Sequence, residues 1–145
     1  MGKIAKSSII VFMSTFLLFT GCAKSENKEN KTVSSEQVVA TVQKISAKEA
    51  KEKIDSGQKV IILDVREQSE YDDGHIKDSV LLPVGSIESN IDKVITKEEN
   101  KETPILVYCR SGNRSAKAAK ALTSLGYTNV YDFGGIIDWP YDIEK

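Results

Sequence analysis

Ile105-Leu106-Val107-Tyr108-Cys109-Arg110-Ser111-Gly112-Asn113-Arg114-Ser115-Ala116 is the stretch that decides the fold. Ile105 to Tyr108 is a β-branched and apolar run, long enough for a buried strand and too short for a helix. Cys109 to Arg114 carries one thiol, two guanidiniums and a glycine, and reads as a loop. Ser115 to Leu125 is rich in Ala, Lys and Leu, and Gly126 follows, so this segment reads as a helix closed by a glycine just past its end. A cysteine therefore stands at the carboxyl end of a strand, in a tight turn that feeds a helix. In open α/β sheets that edge is where ligands bind.

The placement carries chemistry. Helix N-termini hold unpaired N–H groups and partial positive charge. A short loop curling around one atom aims further amides at it and forms an anion nest. Arg110 and Arg114 add full positive charge. All three effects favour thiolate over thiol at Cys109. A thiolate is the nucleophile of sulfur exchange, and the same nest stabilises an anionic product on that sulfur. Gly112 permits backbone angles that a Cβ forbids. Cys109 as an inert core residue fits poorly, because two arginines and a glycine share its loop. Either arginine alone reads as surface charge; together, flanking a thiol, they read as an anion site.

Working outward, Val60 to Val65 is a near-continuous apolar run, as expected of a buried parallel strand. Val42 to Ile45, Val80 to Leu82 and Val130 to Phe133 read as further strands. Ser46-Ala47-Lys48-Glu49 is a capping box that opens a helix ending near Gly57. Glu67 to Asp72 reads as a short helix, and Ile87, Ile91 and Val94 or Ile95 fall at helical spacing. Lys97 to Thr103 is a charged surface loop. Alternating strands and helices mark βαβ units and a parallel sheet. Residues 41–145 suit one domain with one core, and no internal repeat divides them.

The loop Cys109-Arg110-Ser111-Gly112-Asn113-Arg114 resembles the active-site loop of the rhodaneses, the single-domain sulfurtransferases. Further matching segments are Leu63-Asp64-Val65-Arg66, then Glu70-Tyr71 running into Gly74-His75-Ile76, then Pro83, then Gly134-Gly135-Ile136 with Trp139. They fall in the family's order and spacing. Lys77-Asp78-Ser79 departs from the family's usual Gly-Ala pair in a structural turn. The resemblance implies an α/β fold, an open parallel sheet of about five strands flanked by helices on both faces. It implies that Cys109 is the catalytic nucleophile, taking a sulfane sulfur from a donor as a persulfide and passing it on. Arg110, Ser111, Gly112, Asn113, Arg114 and Ser115 would bind the substrate, with Arg110 and Arg114 drawing in an anionic donor. Asp64 and Arg66 resemble a structural pair that holds loops near the site. His75 falls in a structural turn outside the catalytic set, and Tyr108 and Trp139 read as core or pocket-wall aromatics.

Loop length separates two chemistries. Tyrosine-phosphatase-type loops carry one more residue between cysteine and arginine, enough to clamp phosphate oxygens. Here four residues lie between Cys109 and Arg114, and position 115 is serine. The shorter ring suits a sulfur atom or a thiosulfonate. The expected partners are a small anionic donor, thiosulfate or a polysulfide or persulfide, and a thiol or cyanide acceptor. Two other classes share the loop: a sulfur carrier with little turnover, and a thiol redox sensor, which lacks a resolving cysteine.

The first 21 residues read as a lipoprotein leader. Lys3 and Lys6 precede an apolar run from Ser7 to Thr20, short for a membrane span. Leu18-Phe19-Thr20-Gly21-Cys22 resembles a bacterial lipobox, which makes Cys22 the lipidated residue. Residues 22–40 are polar and charged, cannot bury enough surface to order themselves, and read as a tether. The expected location is the extracytoplasmic face of the cell membrane, held through the lipid. The chain has two cysteines; a lipidated Cys22 cannot pair with Cys109, so no structural disulfide is available. One histidine and no clustered cysteines give no zinc spacing, and no metal or other cofactor is expected. A net charge of −1 gives no basic footprint for nucleic acid.

Overall fold

In the computed structural model, residues 40–96 and 101–145 are described. The expected leader 1–21, Cys22 and the tether as far as residue 39 lie outside them, as do residues 97–100 of the charged loop. The chain runs β1 (Thr41–Lys44), α1 (Ala47–Asp55), β2 (Ile61–Asp64), α2 (Gln68–Asp72), β3 (Ser79–Leu81), α3 (Ile87–Val94), β4 (Ile105–Cys109), α4 (Asn113–Ser124) and β5 (Asn129–Gly135). Single 3-10 turns cover Val84–Ser86 and Ile136–Asp138. Each strand lies within two residues of its expected limits.

The five strands form one sheet in the order β1-β5-β4-β2-β3, and every pair is parallel. All residues of β2 and β4 are buried, which is why both read as unbroken apolar runs. Side chains alternate across the sheet. Ile105, Val107 and Cys109 join Leu63, Ile87 and Ile91 from α3, and Ala118, Ala119 and Leu122 from α4. Leu106 and Tyr108 face the other way, against Ile62, Phe133, Trp139 and Ala50 of α1. Helices thus cover both faces, as expected, and Tyr108 and Trp139 are core residues.

Local sequence explains the joints. In the capping box of α1, Ser46 Oγ accepts from the Glu49 amide at 3.2 Å and Glu49 Oε2 accepts from the Ser46 amide at 2.7 Å. Gly126, at φ +88, closes α4. Asp78 takes φ +61, a left-handed angle that aspartate tolerates better than most residues. His75 stacks on the Tyr71 ring at 3.8 Å and its Nδ1 lies 3.0 Å from the Tyr71 carbonyl, so it belongs to the turn after α2.

Of the limits that differ from expectation, two fall at the decisive stretch. Cys109 is the last residue of β4 and not the first of the loop. Helix α4 begins at Asn113, two residues before the expected Ser115. Gly112 is the reason: at φ +95 it turns the chain sharply, and its carbonyl already accepts the first helical bond, from Ala116 N at 3.2 Å. The loop is therefore only Arg110, Ser111 and Gly112.

Candidate active site

The Cys109 sulfur is enclosed by the turn that follows it. The residue is 1% exposed, and the Gly112 amide donates to Sγ at 3.1 Å. Burial pushes the thiol up, but the amides of Ser115, Gly112 and Ser111, with the Ser115 hydroxyl, outweigh it and hold the group below an ordinary thiol. Amides from the end of a strand and the first turn of a helix thus converge on one atom.

The cup is built against β5. Pairing between β4 and β5 slips from Val107↔Asp132 to Cys109↔Gly135, placing an extra residue in β5. Gly134 takes φ +89 in this bulge, and its amide donates to Asp132 Oδ1 at 3.1 Å. Gly135 then lies flat beneath the loop. A Cβ there would overlap the Arg110 carbonyl oxygen and stand 2.7 Å from Ser111 Cα. Ser115, fully buried, has its hydroxyl within reach of the Gly112 and Gly134 carbonyls at 3.0 and 3.2 Å, pinning helix start to bulge.

The two loop arginines part company. Arg114 donates Nη1 to Glu70 Oε2 at 2.6 Å and Nη2 to Glu70 Oε1 at 2.7 Å, a fork-on-fork pair. That pairing holds the Glu70 carboxyl at about 2. Glu70 also accepts from the Glu67 amide at 3.2 Å, capping α2 with the same carboxylate. Arg110 is exposed, and among the described residues no group pairs with its side chain. Ser111 and Asn113 are exposed as well; Ser111 serves the sulfur through its amide.

Asp64 and Arg66 form a buried unit at the end of β2. Asp64 accepts from the Arg66 amide at 3.0 Å and from its guanidinium at 2.6 to 2.9 Å, and Arg66 Nη2 also donates to the Gly74 carbonyl at 2.8 Å. The Tyr108 hydroxyl accepts from Ile76 N and lies 3.1 Å from Ser79 Oγ, tying β4 to the same turn. Beside the loop opens a cleft of about 330 Å³ lined by Arg66, Glu70, Asp73, Arg110, Ile136 and Ile137.

The sequence reading missed Glu70 as the partner of Arg114 and the steric role of Gly135. Glu70 carries a local signal, three residues after Glu67 at a helix start, but nothing local points across 44 residues to Arg114.

Fold and site together define a class: an α/β domain with one thiol at the carboxyl edge of a parallel sheet, cupped by amides. The chain belongs to the rhodanese-like domain family, whose model matches residues 46–140. A Bacillus subtilis protein provisionally named as a sulfur carrier, YrkF, is 34% identical over 106 residues, covering 72% of this chain and 55% of the relative. A Schizosaccharomyces pombe protein provisionally named as a mitochondrial thiosulfate sulfurtransferase is 39% identical over 95 residues, covering 59% of this chain and 66% of the relative. The chain thus spans only part of the length of these relatives. A crystal structure of a rhodanese-like domain protein from Staphylococcus aureus superposes with TM-score 0.61 at 30% identity, over 70% of this chain and 96% of that one.

Proposed function

We propose that this domain is a sulfurtransferase in which Cys109 carries the sulfur. The observation that supports this most is the convergence of the Ser111, Gly112 and Ser115 amides on Sγ. The thiolate attacks the outer sulfur of a donor such as thiosulfate or a polysulfide. The donor's S–S bond breaks and sulfite or a shorter chain leaves with the electron pair. The terminal sulfur of the resulting persulfide is an anion, and the amide cup offers it donors. A thiol, or cyanide in an assay, then attacks that sulfur and restores the thiolate. Sulfurtransferase names among the relatives support the same reading. No side-chain proton shuttle is needed, which leaves His75 in its turn.

The test is intact mass after incubation with thiosulfate or a persulfide. The wild-type domain gains one sulfur and Cys109→Ser gains none; no gain in the wild type ends the proposal. A carrier role is the second reading, favoured by the name of the B. subtilis relative. Loading in a single turnover without steady-state cyanide turnover would select it.

The leader and Cys22 add a location to the proposal: a lipid on Cys22 holds the domain at the extracytoplasmic face of the membrane. The lysines, the short apolar run and the Gly21-Cys22 junction support this. Cys22→Ala should move the protein from the membrane fraction to the soluble one. An unchanged distribution removes the anchor.

A further inference from the structure

The geometry points to a second binding site, away from Cys109, for a small organic cation that carries a hydroxyl or carbonyl oxygen. The site is a cavity of about 230 Å³ lined by residues of α1, of the turn before β3 and of the segment after β5. Its apolar lining is Ile54, Ile76 and Trp139, all in the cluster on the α1 face of the sheet. Cys109 belongs to the cluster on the opposite face, with α3 and α4. Nothing in the second site depends on sulfur transfer.

Two lysines and three aspartates line the cavity, and the lysines are already matched. Lys51 Nζ donates to Asp55 Oδ1 at 2.6 Å, and Lys77 Nζ lies 3.8 Å from Glu144 Oε1. Asp78 and Asp142 are exposed, and among the described residues neither carboxylate has a hydrogen-bonded or ionic partner. The cavity is left with two unmatched negative charges. Asp78 also holds φ +61, an angle glycine takes without strain, so its carboxylate is kept there at a conformational cost. Trp139 supplies an independent sign. It is 9% exposed, and its buried Nε1–H has no hydrogen-bond partner among the described residues. A buried indole N–H ordinarily finds an acceptor, and one left over calls for a reason. Phe133 and Tyr141, with ring centroids 5.6 and 4.9 Å away, hold the indole in place.

These features select a ligand class. An anion would meet two unmatched aspartates. A hydrocarbon would leave both carboxylates and the indole N–H without partners. A small organic cation answers all three: its ammonium on Asp78 and Asp142, its alkyl groups on Ile54, Ile76 and Trp139, its oxygen accepting from Nε1. Tryptophan is also the strongest aromatic partner for a cation. Water does not reach Nε1, so an acceptor on a ligand seated against the indole faces no competition from solvent. The volume falls below that of drug-sized sites, which limits the ligand to a few carbons. Binding is reversible, and no covalent bond forms or breaks.

Trp139 is the chain's one tryptophan, so its fluorescence reports on the cavity directly. The protein is titrated with four compounds: choline, ethanolamine, the uncharged carbon analogue of choline (3,3-dimethylbutan-1-ol), and tetramethylammonium, which lacks the oxygen. At least one hydroxylated cation should give a saturable fluorescence change, with affinity about fivefold above that of either analogue, the discrimination expected of one exposed charge contact. Asp78→Asn with Asp142→Asn should bring the hydroxylated cation level with the uncharged analogue. Asparagine tolerates the left-handed angle at position 78, so the turn is kept. Trp139→Phe, followed by calorimetry because the reporter is gone, should remove the preference over tetramethylammonium. No saturable response to choline or ethanolamine, equal affinity for all four compounds, or preferences unmoved in these variants would overturn the proposal. Sulfur loading of Cys109 is read separately and bears only on the sulfurtransferase reading.

Discussion

Two short turns leave the same edge of the sheet, one after β2 and one after β4, and each is built around an anion among positive donors. After β2 the anion is the Asp64 carboxylate, and its own neighbour Arg66 uses it up. The pair is buried, its spare guanidinium nitrogen is given to Gly74, and nothing is left to react. After β4 it is the Cys109 sulfur, whose thiolate form is favoured by backbone amides that hold the group below an ordinary thiol. Among the described residues no carboxylate bonds to that sulfur, and Glu70 is held aside by Arg114. The same edge therefore makes a structural joint where the donors are saturated locally, and the proposed sulfur site where they are left over.

Cys109→Ser and Asp64→Ala probe this contrast from opposite sides and should give the largest effects. Cys109→Ser removes sulfur loading entirely while shifting the denaturation midpoint little. Asp64→Ala strands the buried Arg66 charge and should cost about 3–5 kcal/mol in chemical denaturation. Equal stability losses in the two variants would erase the distinction between joint and site.

Gly135→Ala comes next. A Cβ at 135 collides with backbone, so the loop must shift, at about 1–3 kcal/mol. The amides then lose their aim, and the pH midpoint for alkylating Cys109 should rise toward that of an ordinary thiol. An unmoved midpoint would mean that the cup does not depend on β5.

Smallest is Glu70→Gln. Glu70 titrates at about 2 in the fold, below the ordinary carboxylate value, so its contribution is fully present above the unfolded value near 4.5. It is lost as pH falls toward 2. At pH 7 the variant should be less stable by about 1 kcal/mol, discounted for a pair that still touches solvent. The two proteins should converge at low pH. A constant difference down to pH 2 would show that the pairing is not what stabilises.

Much of this was legible in the sequence because the chemistry is local. Ile105 to Ser115 contains the strand, the thiol, the turn glycine and the helix start, all within one turn of chain. The capping box at Ser46 and the apolar runs of β2 and β4 are equally local signals. The helix start at Asn113 was misplaced because it depends on the +95° angle at Gly112, which composition does not set. The Glu70–Arg114 pair and the packing of Gly135 under Arg110 were invisible for a different reason: they join segments far apart in the chain, and only the strand order brings them together.

The place of β5 has a temporal consequence. It is the last strand in sequence, yet it inserts between β1 and β4 and supplies the floor beneath the sulfur. A chain still being made therefore carries its cysteine without that floor until β5 arrives. Completion of the cup waits on β5, so while the preceding elements stand alone the thiol lacks the backbone that holds its amides in place.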